Sequence, residues 1–208
     1  DVMALSGARL VEVGTTNKTH LRDYEAALNE NTGAIMHVNP SNYRVVGFTK
    51  EVSIEELVTL KKKQDVLVID DLGCGALLNL EDFGLPHEPT APESVAAGAD
   101  IVCFSGDKLI GGPQAGIIVG KKALVDRIRK HPLMRMMRVD KLTDMTLEHT
   151  LRLFLEPETL RETNPTIRMI TASVGDLKRQ ASRIKRKLAK EAPSLDVRVV
   201  EGSSMTGC

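Results

Sequence analysis

Cysteine is scarce. Cys74, Cys103 and Cys208 are the three in this 208-residue chain, and none has a neighbour at the paired spacing of a zinc site. An odd, scattered count argues against a disulfide-stapled framework and fits a reducing cytoplasm. Net charge is missing too: 28 Lys and Arg residues balance 28 Asp and Glu. The whole chain is therefore neither a polycation drawn to nucleic acid nor an acidic tail, and any anion site has to be local. No apolar run approaches membrane-spanning length, and the opening DVMALSGARL lacks the charged start and apolar core of a signal peptide. Internal repeats and low-complexity segments are absent. What remains is an ordinary globular composition, 42% hydrophobic, long enough for one domain or one plus part of a second. The chain starts at Asp1 and ends in EGSSMTGC without an evident stop, so a piece of a longer protein is expected.

Strand-like and helix-like segments alternate. RLVEV (9–13), GAIMHV (33–38), VLVID (66–70), IVCF (101–104) and AGIIVG (115–120) have the apolar, β-branched texture of strands. Between them, THLRDYEAALNE (19–30) sets Leu21, Tyr24, Ala27 and Leu28 on one helical face. Ser53 and Glu56 form a capping box before IEELVTLKKKQ, and PESVAAG (92–98) starts a short helix on a proline. KKALVDRIRK (121–130) completes the series. Continuous runs such as VLVI and IIV, rather than strict alternation, predict an α/β fold: a largely parallel sheet with helices on both faces.

After Lys130 the texture changes. HPLMRMMRVDK (131–141) is irregular and basic, 140–155 has the period of a long helix, and 165–202 predicts one or two helices followed by a strand at DVRVV (196–200). The basic run over 178–190 is ordinarily a solvated helix face; an RNA-binding face is the less favoured reading.

In open α/β sheets the active site lies beyond the carboxyl ends of the strands. Three strands here end in polar or glycine-rich loops: NPSNY (39–43), DDLGCG (70–75) and SGDKLIGG (105–112). A lysine and an aspartate on neighbouring strand ends meet the needs of pyridoxal phosphate: an amine for the aldehyde and a carboxylate for the pyridine nitrogen. Lysine suits the first role because its amine loses a proton when partly desolvated, which arginine does not. Singly, a loop lysine is a solvent-facing residue and a strand-end aspartate a helix cap. Their combination with Ser-x-x-Lys-x-x-Gly-Gly is far more specific.

The runs LVEVGTTNKTHLRDYEAALNENT, SNYRVVGFTKEVSIEELV, DDLGCGALLNLEDFGL, SGDKLIGGPQAGIIVGKK and MRMMRVDKLT closely resemble the bacterial selenocysteine synthases, the L-seryl-tRNA(Sec) selenium transferases. The resemblance covers nearly the whole chain and implies the fold of the type I pyridoxal-phosphate enzymes. It implies a division into residues 1–135 as the carboxyl-terminal portion of the large cofactor-binding domain, 136–160 as a connecting segment with its long helix, and 161–208 as part of a small α/β domain. It puts the Schiff-base lysine at Lys108. The pyridine partner falls on Asp71, with Asp70 beside it as the alternative. Asp107 is implied to assist the chemistry, Ser105 to reach the cofactor phosphate, and Asn42 to lie near the ring or the substrate. Arg135 and Arg138 are implied to clamp the phosphate of the selenium donor, selenophosphate, as paired guanidinium groups can.

The same resemblance implies the reaction: β-replacement on tRNA(Sec) charged with serine, in a cytoplasmic homo-oligomer without membrane attachment. Departures from the family pattern are Cys74, where a serine is usual, and the end at Cys208, where a glycine-rich run is expected to follow. An amino-terminal part with the cofactor-phosphate loop and the tRNA-gripping domain is expected outside this stretch. Two rivals remain open: an ammonia lyase for a phosphorylated sugar acid, which shares the lysine loop, and a noncatalytic binding or scaffold protein of this fold.

Overall fold

The structure is a computed structural model that describes residues 4–15, 17–40, 43 and 45–203. Its elements are α1 (Leu21–Ala27), β1 (Ala34–Val38), α2 (Ile54–Leu60), β2 (Leu67–Gly73), α3 (Ala91–Ala97), β3 (Ile101–Ser105), β4 (Gly116–Gly120), α4 (Lys122–Lys130), α5 (Met134–Met137), α6 (Lys141–Leu153), α7 (Leu160–Thr163), α8 (Pro165–Ile170) and α9 (Val174–Glu191). The sheet order is β1-β2-β3-β4. The first three strands run parallel and β4 is antiparallel to β3, so this is the α/β fold with a largely parallel sheet that the strand texture predicts.

Local chemistry explains the crossovers that parallel pairing requires. α2 starts where Ser53 Oγ accepts the Glu56 N–H while Glu56 accepts the Ser53 N–H. α3 starts on a second such box, Thr90 with Glu93, with Pro92 in its first turn. The step from β3 to β4 is a loop of ten residues, 106–115, too short for a helical crossover, and the strand turns back.

Side chains alternate across the strands. Ile35, Val68, Leu72, Val102 and Phe104 fall on one face and form the main core with Leu57 and Leu60 of α2 and Ile110. Leu21, Tyr24 and Leu28 pack against it from α1, and Leu151 and Phe154 from the α6 end. Leu57 and Leu60 are fully buried, each worth about 1.5–3 kcal/mol of transfer free energy. The other face carries Met36, Ile69, Asp71, Cys103 and Ser105, all half-buried.

Three expectations are corrected. RLVEV (9–13) forms no strand: Leu10 and Val11 are exposed, and no described strand lies alongside to complete a ladder. DVRVV (196–200) likewise has strand composition without strand pairing, and Val199 and Val200 stay exposed. The segment 131–141, expected to be irregular, contains the helical turn α5, closed by the Arg138 N–H donating to the Met134 carbonyl.

Candidate active site at the carboxyl edge of the sheet

The carboxyl ends of β1, β2 and β3 lie side by side. Val38 pairs with Asp71, Asp71 with Cys103, and the Asn39 N–H donates to the Asp71 carbonyl at 2.8 Å. The loops that begin at Asn39, Gly73 and Ser105 therefore leave from one edge, as expected. Asn42, the fourth residue of NPSNY, lies outside the described residues.

Adjacent aspartates on β2 take opposite faces. Asp70 is turned into the core face and is 1% exposed; its Oδ1 meets His37 Nδ1 at 2.8 Å and its Oδ2 accepts the Ser94 hydroxyl at 2.5 Å. Both of its oxygens are occupied from β1 and α3. Asp71 is half-buried on the opposite face, with Cys103 and Ser105 on the neighbouring strand, and its Oδ1 accepts the Gly73 N–H at 3.1 Å. The pairing of β2 with β3 shifts register between Asp71 and Gly73, an irregularity of the kind that ends a ladder beside a site. The turn that follows needs glycine: Gly75 has φ +67°, and a Cβ there would stand 2.5 Å from the Phe104 Cβ.

The lysine loop is held by its apolar and glycine residues. Gly106 donates to the Ala115 carbonyl and Gly112 to the Gly106 carbonyl, both at 2.8 Å, and Gly111 donates to the Lys108 carbonyl at 3.0 Å. Leu109 and Ile110 are buried beneath it. Asn164, 1% exposed, donates from Nδ2 to the Ile110 carbonyl at 2.9 Å while its Oδ1 accepts the Thr166 and Ile167 N–H groups. Gly111 has φ +72°, and a Cβ there would lie 2.5 Å from Thr166 Oγ1. A chain that ends a buried strand in this loop thus fixes the backbone on both sides of Lys108. Lys108 and Ser105 are half-buried, and Asp107 is exposed.

The structure thus brings Asp71, Ser105, Asp107 and Lys108 to one edge of the sheet. Arg135 and Arg138 are exposed on and just after α5, three residues apart, with no ion pair of their own among the described residues. Two buried polar anchors escaped the sequence reading, the His37–Asp70–Ser94 chain and Asn164. Their partners lie tens of residues away, and only the capping pattern Asn-Pro at 164–165 gave a local signal. Burial, with the Asp71 and Asp70 carboxylates nearby, pushes the Cys103 thiol up from its ordinary value, which disfavours a thiolate at the site. Among the described residues no group of three His, Cys, Asp or Glu side chains is arranged to hold a metal.

Comparison with known proteins gives the fold and the family. The solved D-glucosaminate-6-phosphate ammonia-lyase superposes with a TM-score of 0.58 at 27% identity, over 73% of this chain and 37% of that one. The fold is that of the type I pyridoxal-phosphate enzymes. L-seryl-tRNA(Sec) selenium transferases of Nitratidesulfovibrio vulgaris and Maridesulfovibrio salexigens are 53% and 54% identical over 208 residues. The match covers all of this chain and 44% and 45% of theirs, so the chain spans under half the length of these curated relatives. The family model described as L-seryl-tRNA selenium transferase, SelA, matches residues 1–208. The lysine loop, the aspartate on the adjacent strand and the unbroken match from end to end place this chain in the L-seryl-tRNA selenium transferase family.

Proposed function

We propose that the complete protein converts seryl-tRNA(Sec) to selenocysteinyl-tRNA(Sec) with pyridoxal 5'-phosphate as cofactor and selenophosphate as selenium donor. The observation that carries this reading is the placing of Lys108 on a fixed loop at the end of β3 and of Asp71 on the same edge of β2, in a chain of this family. An amine and a carboxylate so arranged fit a cofactor that presents an aldehyde and a ring nitrogen. The engagement of Asp70 with His37 and Ser94 supports Asp71 as the ring partner.

Lys108 Nζ would bond the aldehyde, Asp71 would hold a proton on the ring nitrogen, Ser105 would reach the phosphate, and Asn42 would lie by the ring or substrate. When bound, the cofactor supplies an electron-accepting ring that absorbs the charge left when a proton departs from the substrate Cα. Lys108 Nζ is the base that takes this proton as a free amine and the acid that returns it as the ammonium so formed, a role open to a lysine whose amine is deprotonated. Asp107, next in the chain, assists that proton traffic. Arg135 and Arg138 hold the phosphate of the donor. In net terms the Cβ–O bond of the seryl group breaks and a Cβ–Se bond forms. The hydroxyl and the phosphoryl group parted from selenium leave together as phosphate.

The division of the chain at 135 and 160 belongs to the same reading, as does a homo-oligomer. Exposed apolar side chains on the early loops, Leu10, Val11, Val46 and Phe48, support a covered surface there. The cytoplasm fits the free thiol of Cys103, and no helix among the described residues is long and apolar enough to cross a membrane.

The test is the full-length protein with seryl-tRNA(Sec) and selenophosphate. Selenocysteinyl-tRNA should form only when both are present. Ammonia release from a phosphorylated amino sugar acid without any tRNA would contradict the reading. In the same assay Arg138→Ala should raise the donor KM about 10- to 100-fold, the worth of a charge-assisted hydrogen bond; unchanged donor affinity would remove the arginines from the donor site.

A further inference from the structure

α9 is the longest helix among the described residues, and no acidic residue lies between Leu177 and Lys190. Its apolar positions, Leu177, Ala181, Ile184 and Leu188, recur at intervals of four and three and share one side. Arg179, Arg183, Arg186 and Lys190 recur in the same way on the opposite side, and all are exposed. A solvated helix face ordinarily interleaves acids at i±4 with its bases. Here Arg179 meets Asp176 at the amino end, whereas Arg183, Arg186 and Lys190 have no ion pair among the described residues. α4, also basic, differs: Asp126 lies in its middle and pairs with Lys122 and Arg129. The charge of α9 is local, because the chain as a whole is neutral.

Resting on the seryl-tRNA reading above, we propose that the stripe Arg179, Arg183, Arg186 and Lys190 of α9 is a contact surface for the phosphate backbone of the tRNA substrate. The stripe extends about 16 Å along the helix axis, a length over which a double helix of B-form charge density presents on the order of ten phosphates.

Position supports the assignment. Thr166 of α8 abuts Gly111 of the lysine loop, and Ile170 packs against the small cluster that contains Leu109. Three residues then lead into α9. α9 thus starts three residues beyond a helix packed on the lysine loop, which suits it to hold the body of an RNA whose reacting seryl group sits at its end. An anionic membrane is the poorer partner. The apolar stripe of Leu177, Ala181, Ile184 and Leu188 carries no aromatic and one small residue, so it has little to insert among lipid headgroups.

The experiment uses full-length holoenzyme and uncharged tRNA(Sec) transcript, with binding measured from low to moderate salt. The variant R179Q/R183Q/R186Q should bind about 100-fold more weakly near physiological salt, with its log–log salt slope shallower by about three. Its cofactor absorbance, melting temperature and kcat at saturating seryl-tRNA should match wild type, so that the loss appears in KM. K122Q/R129Q/K130Q on α4 should bind as wild type does. Undiminished binding by the α9 variant with an unchanged slope overturns the proposal. So does a loss of binding to phosphatidylserine vesicles without a loss for tRNA. A wild-type protein that binds no tRNA overturns the seryl-tRNA reading itself, and the stripe with it.

Discussion

Full-length enzyme carrying Lys108→Ala is expected to make selenocysteinyl-tRNA at less than about one ten-thousandth of the wild-type rate. A positioned general base alone contributes about 10²- to 10⁴-fold, and Lys108 is assigned a second task, bonding the cofactor, that the same substitution removes. The two losses fall on one step. The fold should survive, because the loop is held by Leu109, Ile110, Asn164 and its glycines, while Lys108 itself is only half-buried. A single-turnover assay beside a thermal melt separates these effects. A folded variant that keeps a hundredth of the activity or more would mean that another group does this chemistry.

Asp100→Ala is expected to cost about 3–5 kcal/mol of stability, the usual penalty for breaking a buried, multiply bonded ion pair. The Asp100 side chain is 1% exposed at the amino end of β3, far along the sheet from the site. Lys61 at the end of α2 donates to both of its oxygens at 2.6 Å, Lys121 before α4 donates to one at 2.6 Å, and the Val68 N–H of β2 donates at 2.7 Å. One carboxylate thus ties two helices and two strands. Lys121 is 61% exposed and Lys61 20%, so screening leaves Lys121→Ala at under about 1 kcal/mol while Lys61→Ala costs more. Burial works to raise the Asp100 carboxyl, but the hydrogen bonds from Lys121, Lys61 and Val68 outweigh it and hold the pKa below the usual carboxylate value.

The sign of the pH dependence follows. This contribution is present in full above the unfolded-state value, about 3.9, and is lost as pH falls through the lower folded value. Urea unfolding of the full-length protein at pH 7 and at pH 3 tests it. Wild type should lose stability toward pH 3 more steeply than Asp100→Asn, and a loss under 1 kcal/mol for Asp100→Ala at neutral pH would contradict the account.

Features set by neighbours in sequence were legible in the chain. The Ser53–Glu56 box and the proline start of α3 are local hydrogen-bonding and steric devices, and both form as expected. RLVEV and DVRVV show the limit: β-branched composition makes a segment fit for a strand, but a strand also needs a partner, and none of the described strands supplies one. The aspartate pair makes the same point for the site. Alternation puts Asp70 and Asp71 on opposite faces, yet which face is the core depends on α2 and α3 packing over Val68 and Val102. His37 and Ser94, which engage Asp70, are 33 and 24 residues away, a relation that no spacing rule carries. The lysine loop was readable because its chemistry is written in one short run; the buried Asn164 that holds it comes from a distant helix start.

The reading of the site turns on Lys108 as the residue that bonds the cofactor. Borohydride reduction of the purified full-length protein, followed by peptide mapping, tests it most directly. A pyridoxyl group on Lys108 and on no other lysine is the expected result. A well-folded protein that takes up no label, or carries it elsewhere, would contradict it and return the lysine of SGDKLIGG to the ordinary residues of a loop.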